Sequence, residues 1–196
     1  MTGILLAGGQ SKRMGTDKAF LLYRHKQLFE YPLDILKAFC DEILISSSDP
    51  RFMATGYPVI PDAFPGKGPM AGLFTCLSRA KSSGSLVLSC DLPLMDPAFI
   101  YFLIDRSMKF PITIGTNRQG KPEPMAGIYE KEILPAMESL LIDGKNKLQG
   151  LLAKTRVQYI HPEKEGFDPD QIYLNINKPE DLTKLQNIPK GNGEIR

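Results

Sequence analysis

The stretch Gly3-Ile4-Leu5-Leu6-Ala7-Gly8-Gly9-Gln10-Ser11-Lys12-Arg13-Met14-Gly15-Thr16-Asp17-Lys18 decides how this chain is read. Ile4–Ala7 is a continuous apolar run ended by a glycine pair, the pattern of a buried α/β strand that stops at a loop. Between Gly8 and Lys18 stand three glycines and three cations, Lys12, Arg13 and Lys18. Glycines let a backbone approach a ligand closely and turn its amides inward, and Lys and Arg meet negative oxygens. The loop is built for a polyphosphate. A Walker A loop is excluded, because Thr16-Asp17 follow Gly15 where Lys and Ser/Thr should stand. A Gly-x-Gly-x-x-Gly dinucleotide fingerprint is excluded because Gly8 and Gly9 are adjacent.

Outward from this loop, strands and helices alternate. Leu28–Phe39 has near-helical spacing, with Pro32 tolerable only in the first turn. Ile43–Ile45 and Val59-Ile60 read as strands, and Pro69 opens a helix through Leu73, Leu77 and Ala80. Ser85–Ser89 is an inner strand that delivers Cys90-Asp91-Leu92-Pro93 to its end, and Asp96-Pro97 caps the next helix. Ile112–Ile114, Met125–Tyr129 and Val157–Ile160 read as strands. Lys131–Leu141, Leu148–Lys154 and Pro179–Leu185 read as helices. This alternation predicts a mostly parallel sheet covered on both faces. Ligands of such sheets bind beyond the carboxyl ends of the strands, where Gly8, Ser46–Ser48 and Asp91 fall.

The bounds agree. With 196 residues the chain suits one domain over residues 1–188, followed by a polar tail over 189–196. A net charge of +2 gives no broad field for nucleic acid or an anionic membrane. No apolar run reaches a membrane span and no signal peptide is read at the start. Cys40, Cys76 and Cys90 are odd in number and widely spaced, which fits a reduced cytoplasm better than a zinc site or a disulfide framework. His25 and His161 have polar neighbours and read as surface residues.

Asp91, directly after an apolar strand and beside the glycine loop, is the candidate metal ligand. Magnesium takes a few carboxylates together with substrate phosphates and water. Asp62 and the run Gly66-Lys67-Gly68-Pro69-Met70-Ala71-Gly72 read either as a simple turn into a helix or as an anion- or base-facing helix N-terminus. Asn177, with Glu180 and Asp181, reads as a helix cap, which leaves Asn175 unexplained. Pro122–Tyr129 receives no role.

The string Leu6-Ala7-Gly8-Gly9-x-Ser11-x-Arg13-Met14-Gly15-x-Asp17-Lys18 resembles the signature of nucleotidyltransferases, and within them the molybdenum cofactor guanylyltransferases. Asp62 with Gly68-Pro69-x-Ala71-Gly72, Cys90-Asp91-Leu92-Pro93, and Asn175-x-Asn177-x-Pro179-Glu180-Asp181-Leu182 resemble three further motifs of that family, in order, from Met1 to about Leu185. The resemblance implies a single-domain, three-layer αβα fold with a Rossmann-like, mostly parallel sheet of the nucleotide-diphospho-sugar transferase type. It implies a magnesium-dependent transfer of GMP from GTP to the terminal phosphate of molybdopterin, releasing pyrophosphate. Arg13, Lys18 and Asp91 would then be catalytic, with Asp91 on the metal. Leu6, Ala7, Gly8, Gly9, Ser46, Asp62 and Gly68 would join those three in holding the nucleotide. Lys147, Asn175 and Asn177 would hold the acceptor. Transient contact with molybdenum-inserting or molybdoenzyme-maturation proteins is implied as well. Two departures stand out. Ser46–Ser48 occupies the place of an asparagine whose bidentate amide serine cannot reproduce, and Asn146 replaces one of a basic pair. Two alternatives stay open on the residues: a transferase using CTP or a sugar phosphate, and a non-catalytic nucleotide-binding module.

Overall fold

The computed structural model describes residues 1–8, 18–176 and 181–183. Seven strands form one sheet in the order β5-β4-β1-β6-β8-β7-β9. They are β1 (Thr2–Leu6), β4 (Glu42–Ser46), β5 (Val59–Ile60), β6 (Gly84–Ser89), β7 (Ile112–Thr116), β8 (Pro122–Glu130) and β9 (Val157–Ile160). All neighbours pair in parallel except β8, which runs antiparallel between β6 and β7. The helices are α1 (Glu30–Phe39), α2 (Pro69–Arg79), α3 (Pro97–Arg106), α4 (Leu134–Ile142), α5 (Leu148–Leu152) and α6 (Pro169–Ile172).

Strand residues alternate between two apolar layers, as the pleat requires. Leu5, Ile43, Ile45, Leu86 and Leu88 pack with Leu33, Leu36, Phe99 and Leu103 of α1 and α3. Ile4, Leu6, Leu44 and Val87 pack with Met70, Leu73, Met137 and Leu151 of α2, α4 and α5. Both faces of the central strands are therefore dry, which explains their unbroken apolar runs. The result is the expected αβα three-layer arrangement.

From β1 the chain steps outward to β4 and β5, then returns to β6 on the other side of β1. The strand order thus reverses between β1 and β6, and at such a switch point the loops part and leave a crevice. Two backbone bonds prolong the pairing beyond the strands: Ala7 N–H donates to Ser46 O at 3.0 Å and Cys90 N–H to Leu6 O at 3.0 Å. Ala7-Gly8 and Cys90-Asp91 flank that crevice on rigid backbone.

Most element boundaries fall within a few residues of expectation, and the differences have local causes. Tyr23–Gln27 is more than a turn: β2 (Leu22–Tyr23) and β3 (Lys26–Gln27) form a small hairpin, with Arg24 at φ 55°. The helix expected from Lys131 opens as a 3-10 turn at Lys131–Ile133 before α4, because Pro135 can stand only in the first helical turn. A 3-10 turn at Pro50–Thr55, capped by the Asp49 side chain, was not visible in the apolar spacing. Of the helix expected over Pro179–Leu185, only residues 181–183 are described.

That 3-10 turn buries Phe52 completely against Phe20 and Phe29, with ring centroids 4.9 and 5.0 Å away. Phe20 lies two residues beyond Lys18, so this aromatic group seats the segment that leaves the glycine loop. Phe52→Ala leaves a cavity that the surrounding rings cannot close. It should cost about 3–5 kcal/mol in urea unfolding with an unchanged denaturant slope.

Candidate active site

The carboxyl end of β6 presents Asp91 in a nearly dry setting, with 6% of its side chain exposed. Its Oδ2 accepts from the Lys18 ammonium. Its Oδ1 is buried and has no hydrogen-bond partner among the described residues. A buried carboxylate oxygen left this way costs free energy unless a ligand or cation completes it. The Asp91 carbonyl accepts from Ile176 N–H at 3.1 Å, which draws the segment Tyr173–Ile176 to the same spot. Asn175 next to it also has a buried Oδ1 without a partner among the described residues. The Asp91 carboxylate and the Asn175 amide oxygen are hard donors of the kind that suit magnesium, which completes its shell with substrate phosphates and water.

On the β4–β5 side, the end of β4 holds Ser46, 2% exposed, whose hydroxyl donates to Asp62 Oδ1 at 3.2 Å. Desolvation pushes the Asp62 carboxyl above its usual range, and the Ser46 bond opposes that shift. Gly72 of α2 makes this contact possible. A Cβ there would stand 2.1 Å from Ser46 Oγ and 3.1 Å from Asp62 Oδ1. Gly8 is exposed above the same serine, 3.5 Å from Ser46 O by the same construction. Ala7, Gly8, Ser46 and Asp62 are thus one contiguous edge. The serines that stand where the resemblance has asparagine serve to hold Asp62 (Ser46) and to accept from Asp49 N–H (Ser47).

On the β8–β7 side, a cavity of about 650 Å³ opens between the start of β8, the N-terminus of α2 and the start of α5. Gly68 and Lys147 both line it, so the structure brings together two residues that the sequence assigned to different substrates. Gly68 at φ 69° turns the chain into α2, whose N-terminal dipole favours an anion. Glu123 and Asn117 line the cavity too, and sequence reasoning missed both. Their signal is weak, because a polar residue between two prolines at a strand start is usually an edge. Tyr173 connects this region to Asp91. Burial and the Glu123 charge push its phenol up, and Ile176, three residues on, bonds Asp91.

Leu6 is buried at the end of β1. Gly9, Arg13 and Asn177 lie outside the described residues. Among the described residues, no three His, Cys, Asp or Glu side chains cluster as a self-sufficient metal site. His25 is exposed, and His161 Nδ1 pairs with Thr116 Oγ1 at 3.0 Å.

Residues 3–159 match the MobA-like NTP transferase domain. The probable molybdenum cofactor guanylyltransferase of Carboxydothermus hydrogenoformans is 34% identical over 190 residues, 96% of each chain. Its counterpart in Flavobacterium johnsoniae is 32% identical over 94% of this chain and 96% of its own. The crystal structure of molybdopterin-guanine dinucleotide biosynthesis protein A from Archaeoglobus fulgidus superposes with a TM-score of 0.78 over 94% of this chain and 96% of its own, at 24% identity, and so supports the fold. The matched span carries the switch point between β1 and β6 and all or nearly all of each strand of the large sheet, and the chain belongs to the MobA-like NTP transferase family.

Proposed function

We propose that this nucleotidyltransferase moves GMP from GTP to the terminal phosphate of molybdopterin, forming molybdopterin guanine dinucleotide and releasing pyrophosphate. The observation that carries the reading is the pairing of Lys18 with a buried Asp91 whose second oxygen has no partner among the described residues, at the switch point of the sheet. The relatives named molybdenum cofactor guanylyltransferase supply the substrate identities.

In this reading an oxygen of the acceptor phosphate forms a bond to the α-phosphorus of GTP as the bond to the β-phosphate oxygen breaks. Pyrophosphate leaves with that electron pair. No protein nucleophile is needed, so the chain contributes position and charge. Lys18 offsets charge on the triphosphate and the leaving group, and Arg13 joins it. Asp62, held by Ser46, faces the nucleotide from the β5 side. Lys147 and the N-terminus of α2 draw the anionic acceptor. Asp91, with Asn175 beside it, would hold magnesium, which when bound supplies charge neutralisation at the reacting phosphates.

The setting belongs to the same proposal. All three cysteines are free thiols, which supports a reducing compartment such as the cytoplasm; no helix among the described residues is long and apolar enough to cross a membrane. Handover of the product to molybdoenzyme-maturation or molybdenum-inserting proteins would follow there. The deciding experiment is GTP turnover with molybdopterin as acceptor, with and without magnesium, scored by dinucleotide and pyrophosphate. Equal turnover with CTP, or GTP binding without any product, would reject it.

Lys18→Ala should weaken GTP use by at least about tenfold, the worth of one charged hydrogen bond. A parent-like KM for GTP would remove Lys18 from the phosphates. Asp91→Asn should lower kcat by ~10²-fold or more, the scale of one electrostatic stabiliser, and make nucleotide affinity nearly independent of magnesium. Retained magnesium-dependent turnover would move the metal elsewhere.

Asp62 permits a stability test. Its folded-state pKa is raised, so the native state binds the proton more tightly and Asp62 makes stability fall as pH rises from the usual aspartate value through the raised one. Asp62→Asn should therefore stabilise the fold at neutral pH, lose that gain below about pH 3.9, and weaken GTP binding. Urea unfolding at both pH values and a GTP titration check all three outcomes.

A further inference from the structure

The sheet assigns its edge in halves. Ala7-Gly8 follow β1, Ser46 ends β4 and Asp62 follows β5 on one side of Asp91, while Glu123 belongs to β8 on the other. The edge formed by Ala7-Gly8, Ser46 and Asp62 and the Glu123 wall of the cavity therefore lie on opposite sides of Asp91, while Gly68 at the start of α2 reaches the cavity as well. Glu123 is half-buried in the cavity wall and accepts from Asn117 Nδ2 through Oε1 at 3.0 Å. Asn117 cannot swing away, because its own Oδ1 accepts from Gln119 N–H at 3.1 Å and Lys121 N–H at 3.0 Å. The carboxylate is thus aimed by its neighbour, and Asn117 is its one hydrogen-bond partner among the described residues. Three of its four lone-pair positions face away from that bond. Desolvation raises its pKa, as expected for an acceptor partly removed from water. Pro122, Pro124, Met125 and Leu148 give the cavity an apolar lining, and Lys121 and Lys147 stand at it with positive charge.

A carboxylate between apolar walls, with cations nearby, selects a planar heterocycle that presents two adjacent N–H donors on one edge and carries an anionic tail. Guanine and pterin share that edge, a ring N–H beside an exocyclic amine. We propose that Glu123, oriented by Asn117, is the specificity-determining residue for the pterin ring of the acceptor, taking its ring N–H and 2-amino group in two parallel hydrogen bonds. The position across Asp91 from Ala7-Gly8, Ser46 and Asp62 favours the pterin over the guanine. This inference rests on the guanylyl-transfer reading and adds to it the residue that reads the acceptor.

The test is an exchange of hydrogen-bond partners. Pterin (2-amino-4-oxopteridine) offers two donors on this edge, whereas lumazine (2,4-dioxopteridine) offers one donor and one acceptor. Both are titrated by their own fluorescence into the full chain saturated with GTP, so that the guanine position is filled. The parent should prefer pterin by about tenfold or more, the worth of one hydrogen bond to a charged group. Glu123→Gln presents one acceptor and one donor, since the Asn117 amide keeps the Gln oxygen turned toward itself. It should lose pterin affinity by about tenfold, gain lumazine, and leave the GTP Kd within about twofold. A gain for lumazine is a result that mere damage to the fold does not produce. Glu123→Asp keeps the charge and should keep the pterin preference while weakening both ligands.

A parent that does not discriminate the two pteridines overturns the inference, as does a Glu123→Gln protein with unchanged pterin affinity. A loss of GTP affinity with pterin binding unmoved would place Glu123 on the guanine and overturn it too. Dinucleotide formation from GTP and molybdopterin by the parent protein is scored separately. If it persists while the pteridine exchange fails, the transferase reading stands and only the role of Glu123 is lost.

Discussion

The ion pair between Lys18 and Asp91 is the constraint on which the site depends. A carboxylate only 6% exposed loses most of its hydration, and one ammonium does not satisfy both of its oxygens. In a protein at rest this is a liability, because a buried pair is often no better than apolar packing of the same volume. It makes sense where charge must be met during a reaction. In the proposed reaction the oxygen left without a partner in the described structure would take what the substrate brings, and the lysine would meet phosphate charge. Lys18 is held there from behind, by Ala19 in the core and by Phe20 against Phe29 and Phe52.

Geometry does the rest. Because β1 and β6 are neighbours and run in parallel, Ala7-Gly8 and Cys90-Asp91 emerge at the same edge, where the strand order reverses. The antiparallel β8 matters for the same reason. Its amino end, rather than its carboxyl end, lies on the active edge, so Pro122 and Glu123 reach the crevice from a strand whose apolar pattern shows no sign of it. Residues Tyr173–Ile176 then join the two halves, with a phenol influenced by Glu123 at one end and a backbone bond to Asp91 at the other.

The site is also kept at a cost to stability. Asp62 is held above its ordinary pKa by desolvation, and Asp91 and Asn175 bury oxygens without partners in the described structure. Such conflicts between local satisfaction and fold cluster where a ligand completes the arrangement. Ser46 shows how a departure from the family pattern is absorbed. Its short hydroxyl cannot span to a base as an amide does, but it fits under Gly72 and fixes Asp62, a place where a larger side chain would collide with α2.

The sequence by itself determined the layers and the central chemistry. Continuous apolar runs such as Ile4–Ala7 and Leu86–Leu88 can be stable only when both sheet faces are covered, and a strand that ends in Cys90-Asp91 must put its carboxylate at the sheet edge. These signals are local, since strand period, glycine loops and proline-opened helices act within a few residues. What only the tertiary structure decided is which of these pieces meet. The Lys18–Asp91 pair spans 73 residues of chain and the Ser46–Asp62 bond spans 16, and neither distance can be read from spacing. The direction of β8 depends on its partners rather than on its residues. The meeting of Gly68, Glu123 and Lys147 around one cavity therefore had to wait for the sheet, because strand order and direction are fixed by long-range pairing that no local pattern encodes.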